Sequence, residues 1–137
     1  MDETDTSKQI LVLLNDTDPL LNRVTKNKLL KELGWECEIA LSYDDALKSF
    51  KDNRPDAVIT ELLIMDYKNR DGINLISEIR AIETKDTNNK KVPIIVFSEN
   101  DEEQFFQSAI KSGANACYSK NDLSLNDLIH NLQTHIS

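Results

Sequence analysis

The chain has 137 residues, 39% of them apolar, which is enough for one domain with a single sizeable core. Its 24 acids against 16 bases give a net charge of −8, which argues against direct nucleic-acid binding because that depends on Lys and Arg displacing counterions from phosphates. No apolar run approaches ~18 residues and the start MDETDTSK lacks a signal pattern, so the sequence points to a cytoplasmic protein without a membrane segment, whose natural partner is another protein. Cys37 and Cys117 lie far apart without metal-type spacing and read as small core residues.

Residues Met1 to Lys8 read as a disordered, acidic lead-in, and 9–137 as one domain. Ile10 to Leu14 is an apolar run of strand length, as expected of a parallel strand covered on both faces. After Asn15, Asp16 and Thr17, Asp18 suits a helix N-cap and Pro19 the first helical position. That helix should run to about Leu33 and stop at Gly34. Leu20, Leu21 and Val24 fall on one arc and Leu29, Leu30 and Leu33 on another, which predicts a local irregularity. Trp35 to Leu41 alternates like a half-buried strand, and Ser42 with Asp45 starts a helix whose apolar side is Ala46, Leu47 and Phe50.

Ala57 to Thr60 is a β-branched run behind Pro55 and Asp56, and Glu61 stands where it should leave the sheet. Leu62 to Met65 and a polar loop lead to Asp71-Gly72, read as a turn, and then to a helix with Ile73, Leu75, Ile76 and Ile79 inward. The helix fades by Glu83 into the polar connector 84–91. Val92 to Phe97 is a buried strand ending in Ser98, after which Asn100 and Glu103 predict a capped helix with Phe105, Phe106, Ala109 and Ile110, closed by Gly113. Ala114 to Ser119 is the fifth strand, ending in Lys120, and Ser124 to about Thr134 the last helix.

Five strands alternating with five helices predict an α/β fold, a doubly wound five-stranded parallel sheet with helices on both faces. Ligands in such sheets gather outside the carboxyl ends of the strands. That edge collects Asn15, Asp16 and Asp18, then Glu61, Ser98 and Lys120. Carboxylates and an amide suit a hard cation such as Mg²⁺, a hydroxyl can donate to an anionic oxygen and an ammonium can neutralise one, so the set fits a phosphoryl group or its stand-in. No Gly-rich phosphate loop follows the first strand, which sets a flavin or nucleotide carrier low.

The order ILVLLND, PDAVITE, DG, VPIIVFS and GANACYSK resembles the receiver domain of two-component response regulators over nearly the whole chain, Lys8 to His135. The resemblance implies a flavodoxin-like (βα)5 fold and a pocket in which an acidic pair binds Mg²⁺ and an Asp ending the third strand takes phosphate from a histidine kinase. It also implies a Ser or Thr ending the fourth strand and a Lys ending the fifth. Ser98 and Lys120 match residue for residue, and Asp16 matches the second acid of the pair, with Asp16 and Asp18 as the pair in a shifted alignment. The implied metal set is Asp16, Glu61 and Asn15.

The departures from the family pattern are several. The acceptor position, six residues after Pro55, holds Glu61 rather than Asp, and Asn15 stands where the first acid should be. The loop from Glu61 to Gly72 is enlarged, the switch aromatic is replaced by Cys117 with Tyr118 next, and Asn121 replaces the usual Pro after Lys120. Glu61 is longer than Asp by one methylene, so its carboxylate can reach towards where a phosphoryl group would sit. The sequence reading is therefore a phosphorylation-independent receiver in which Glu61 pairs with Lys120 and hydrogen-bonds Ser98, holding one signalling state. The alternative is a Mg²⁺-dependent phosphoacceptor that uses Glu61 or Asp66. Asp66 otherwise reads as a solvated loop acid.

The resemblance further implies a partner face on the fourth helix, fifth strand and last helix, with Glu99, Asp101, Glu102, Cys117 and Tyr118 offered to a histidine kinase or a downstream effector. Its acids suit a basic partner patch. Since the chain ends after the fifth helix, it reads as a stand-alone receiver without an output domain, acting as a monomer or weak homodimer rather than as an enzyme.

Overall fold

The computed structural model describes residues 8–13, 19–64, 66–86 and 91–136. Five strands, β1 (Gln9–Leu13), β2 (Glu36–Ile39), β3 (Ala57–Thr60), β4 (Ile94–Ser98) and β5 (Ala116–Ser119), form one sheet in the order β2-β1-β3-β4-β5. Every pairing is parallel, with Leu13 beside Thr60 and Ser98 beside Ser119. The helices between and after them are α1 (Pro19–Leu33), α2 (Tyr43–Asn53), α3 (Gly72–Thr84), α4 (Glu103–Ser112) and α5 (Leu125–Ile136).

Alternate side chains along each strand feed opposite faces of the sheet, so the core is divided in two. Leu11, Leu13, Val58 and Val96 pack with Phe50 of α2, Ile76 and Ile79 of α3 and Ala109 of α4. Ile10, Val12, Ile59 and Ile95 pack with Leu29 of α1 and Leu128, Ile129 and Leu132 of α5. Coverage of both faces is why the central strands read as unbroken apolar runs.

Several local expectations are corrected. The two leucine arcs of α1 do not break it, because the buried stripe of this single helix is Asn22, Thr25 and Leu29, while Leu20 and Leu30 are exposed. Thr25 is satisfied there by donating to Leu21 O at 2.7 Å. Asn100 does not cap α4. The cap is Glu102, without a side-chain hydrogen bond, and Asn100 instead donates its N–H to Ser98 Oγ. Asp71 is the N-cap of α3 in a reciprocal capping box with Asn74, rather than a simple turn residue. Glu83, where α3 was expected to fade, is buried and binds the Val92 N–H at 2.7 Å and Arg80 at 2.7 Å, anchoring the start of the β4 segment.

Gly72 sets the distance between α3 and β3. A Cβ there would lie 2.1 Å from the carbonyl oxygen of Glu61 and 2.9 Å from Leu62 Cα, and the Gly72 N–H donates to Leu62 O at 2.8 Å. Glycine is required for this close approach of two backbones.

Candidate functional site

The site lies at the carboxyl edge of the sheet, where Glu61 leaves β3 and Lys120 leaves β5. Backbone bonds fix both stems, from Glu61 N–H to Leu13 O at 2.9 Å and from Lys120 N–H to Ser98 O at 2.9 Å. Glu61 Oε1 accepts the Leu62 N–H at 2.9 Å, and Lys120 Nζ donates to Oε2 at 3.0 Å. The Glu61 side chain is 5% exposed and that of Lys120 11%, so each charge depends on the other for compensation. The Lys120 ammonium also stands 5.7 Å from the centre of the Phe97 ring.

Ser98 is fully buried at the end of β4, but its hydroxyl oxygen is taken by the Asn100 N–H at 3.0 Å. Among the described residues the hydrogen bond expected between Ser98 and Glu61 is not formed, the Glu61 oxygens being met by the Leu62 N–H and the Lys120 ammonium. Asn15, Asp16 and Asp18 lie outside the described residues. Of the metal set only Glu61 is described, and its oxygens face an ammonium and an amide N–H. Among the described residues, no group of three or more His, Cys, Asp or Glu side chains is placed to hold a metal ion. They do not by themselves fit Mg²⁺.

Asp66 is not a solvated loop acid. Its side chain is 3% exposed and grips Arg70 in a fork, with Nε on Oδ2 and Nη2 on Oδ1, both at 2.9 Å. The N–H groups of Lys68 and Arg70 also bind Oδ2. The Arg70 guanidinium holds the Asp66 carboxyl well below the usual carboxylate range. It lies 4.0 Å above the Tyr43 ring and donates to Asp44, tying the β3–α3 loop to α2. The acid–base spacing of four was visible in the sequence, but burial of the pair was not.

On the expected partner face, Glu99 is exposed and Asp101 is tied down. Asp101 Oδ2 accepts the Ser119 hydroxyl at 2.6 Å and the Asn121 amide at 3.1 Å, and Asn121 also reaches Glu99 O at 3.4 Å. The Ser119 hydroxyl, then the Asn121 amide, lower the Asp101 carboxyl below its ordinary value. Asn121, standing where the family has Pro, thus supplies a clasp between the loops after β4 and β5. Cys117 and Tyr118 point to opposite sides of β5. The Cys117 thiol donates to Phe106 O at 3.7 Å on the α4 side, and Tyr118 Oη lies 3.0 Å from His135 Nε2 on the α5 side. Burial pushes the Cys117 thiol up to about 11 and the Cys37 thiol up to about 12. A groove of about 890 Å³ runs along α4 and β5, lined by Phe106, Ile110, Cys117, Tyr118 and Leu123 with acids at its rim.

Charge is distributed unevenly. The loops leaving β2 to β5, with the first turn of each following helix, hold Asp44, Asp45, Glu61, Asp66, Asp71, Glu99, Asp101, Glu102, Glu103, Asp122 and Asp127 against Lys68, Arg70 and Lys120. Helix α1 carries Arg23, Lys26, Lys28 and Lys31 against Glu32 alone. The carboxyl edge is therefore the acidic pole of the described molecule.

A parallel sheet of this order with an acid and a lysine facing each other across its carboxyl edge is the arrangement that the resemblance to receiver domains implies. The chain belongs to the response regulator receiver domain family, whose model matches residues 12–133. Curated relatives include the transcriptional regulatory protein PrrA of Mycobacterium tuberculosis and of Mycobacterium bovis, each 27% identical over 114 residues, or 83% of this chain. The chain spans 44% of the length of those relatives. A Francisella response regulator receiver domain is similar with a TM-score of 0.72 and 24% identity, covering 92% of this chain and 95% of its own. A two-component response regulator from Clostridium difficile gives 0.73 and 24%, covering 92% and 93%. The receiver domain of the sensor histidine kinase PA1611 from Pseudomonas aeruginosa, solved with magnesium coordinated in its active-site cleft, gives 0.73 and 22%, covering 96% and 98%. Among the described residues no helix is long and apolar enough to cross a membrane.

Proposed function

We propose that this chain is a phosphorylation-independent receiver that signals by protein contact, with the Glu61 carboxylate serving in place of a phosphoryl group. The observation that carries the reading is the buried Glu61–Lys120 ion pair at 3.0 Å. Glu61 is one methylene longer than the Asp of a conventional receiver, so its carboxylate extends towards the place that a phosphoryl oxygen would take on Asp, and Lys120 meets it there. A permanent carboxylate thus meets the lysine without any transfer, so the pocket holds one state. In this reading the receiver works in the cytoplasm, as a monomer or weak homodimer, by contact with a histidine kinase or downstream effector, and is not itself an enzyme.

The competing reading is a Mg²⁺-dependent phosphoacceptor at Glu61 or Asp66. Both oxygens of Asp66 are engaged by Arg70, which leaves that carboxylate poorly placed as a nucleophile. Incubation with acetyl phosphate and Mg²⁺, followed by intact mass, tests the proposal. An unchanged mass supports it, and gain of one phosphoryl group on Glu61 or Asp66 overturns it.

A further inference from the structure

The enlarged loop between β3 and α3 begins directly after Glu61, yet among its described residues only Leu62, through its N–H, contributes to the ion pair. Long surface loops are ordinarily mobile. This one is held from within, because Asp66 gathers two backbone N–H groups and the Arg70 guanidinium, and Arg70 in turn rests on Tyr43 and reaches Asp44. Ordering it costs backbone entropy, and its order displays two large side chains, with Leu63 58% exposed and Tyr67 76% exposed. Between them runs a groove of about 610 Å³. Leu41, 63% exposed, stands three residues before Asp44 on the adjoining β2–α2 connection.

We infer that the β3–α3 loop is a preformed docking surface for a segment of a partner protein carrying Lys or Arg around apolar side chains. The inference rests on the reading of this chain as a protein-contact module. Tyr67 and Leu63 supply the apolar anchors, an exposed aromatic ring on a rigid loop being the kind of group that dominates binding. The loop's own charges balance, Asp66 and Asp71 against Lys68 and Arg70, whose cationic groups stand 5.4 and 5.6 Å from the centre of the Tyr67 ring, so it is the surrounding acids of the carboxyl edge that select the charge of the occupant. They repel nucleic-acid backbones and anionic lipid surfaces and attract a basic segment. The site is separate from the α4–β5 groove, which lies on other elements.

The test is fluorescence anisotropy with a labelled amphipathic helix built of Leu and Lys, and its counterpart built of Leu and Glu. Each is titrated into the full chain, the double variant Leu63→Ser/Tyr67→Ser, the single variant Tyr67→Lys, and Ile110→Ser in the α4–β5 groove. All three positions are exposed, and equal urea midpoints verify folding. The Leu–Lys peptide is expected to bind at least about tenfold tighter than the Leu–Glu peptide, and less tightly as salt is raised. The loop variants lose about tenfold or more, and Ile110→Ser stays within about twofold. Retention of full affinity by the loop variants, a loss carried by Ile110→Ser, equal binding of both peptides, or binding of neither overturns the inference. The titration reads the loop whether or not the chain takes up phosphate, so it and the mass measurement fail independently.

Discussion

The Lys120 ammonium donates to Glu61 Oε2 across 3.0 Å, joining the end of β5 to the end of β3 over the intervening β4. Breaking a buried pair leaves an uncompensated charge, whereas replacing both partners by apolar groups of similar size removes the problem. Lys120→Ala is therefore expected to cost about 3 kcal/mol in urea denaturation. The double variant Glu61→Leu/Lys120→Met should return to within about 1–2 kcal/mol of the native chain. A single-variant loss below about 0.5 kcal/mol would mean that water already compensates the pair.

Asp66 and Asp101 both have carboxyl groups held below their ordinary values, by Arg70 and by Ser119 with Asn121 respectively. A depressed folded-state value means that the unfolded chain binds protons more readily. Stability is therefore present above the ordinary carboxylate range and falls as pH drops through it towards the folded-state values. Urea midpoints should decline on acidification below about pH 5, and Asp66→Asn should start lower at neutral pH and decline less steeply. Parallel profiles for the two proteins would contradict the Arg70 fork.

Gly72→Ala sets two effects against each other. Ala favours a helix over Gly by about 1 kcal/mol. A Cβ placed 2.1 Å from the Glu61 carbonyl oxygen forces α3 away from β3. Overpacking against backbone costs about 2 kcal/mol or more, so the variant should be net destabilised. A thermal midpoint equal to or above that of the native chain would refute the close approach.

Asn121 clasps Asp101 and Glu99, and its own N–H binds Ser119 Oγ at 3.0 Å. Asn121→Pro removes all these donors, and Asp101→Ala removes the carboxylate that accepts the Asn121 amide and the Ser119 hydroxyl. Either variant should speed amide exchange at Phe105 and Phe106, whose N–H groups bond Glu102 O, by about tenfold, the scale of one lost hydrogen bond to a charged group. Unchanged protection would show that α4 is seated without the clasp.

The sheet was legible because Ile10 to Leu13, Ala57 to Ile59 and Ile94 to Phe97 are apolar at every position, as strands covered on both faces must be. Parallel order then placed Glu61, Ser98 and Lys120 on one edge. Side-chain details that depend on tertiary neighbours were not legible. Asn22 and Thr25 share the buried stripe of α1 with Leu29 while Leu20 and Leu30 stay outside it, which no hydrophobic period reveals. Asp66 looked solvated because nothing local announces that Arg70 will be stacked on Tyr43, 27 residues earlier. Gly72 read as a turn residue, although its role is set by the Glu61 carbonyl above it. The Asp101–Asn121 clasp joins loops 20 residues apart, beyond any periodicity argument.

The central claim is that Glu61 already supplies the anionic oxygen that Lys120 meets, so the pocket has no phosphoryl-dependent second state. Two-dimensional amide NMR of the native chain, before and after acetyl phosphate with Mg²⁺, tests it most directly. The account predicts superimposable spectra at Leu62, Ser98, Lys120 and along α4. Displacement of those resonances together with a phosphoryl adduct would contradict it.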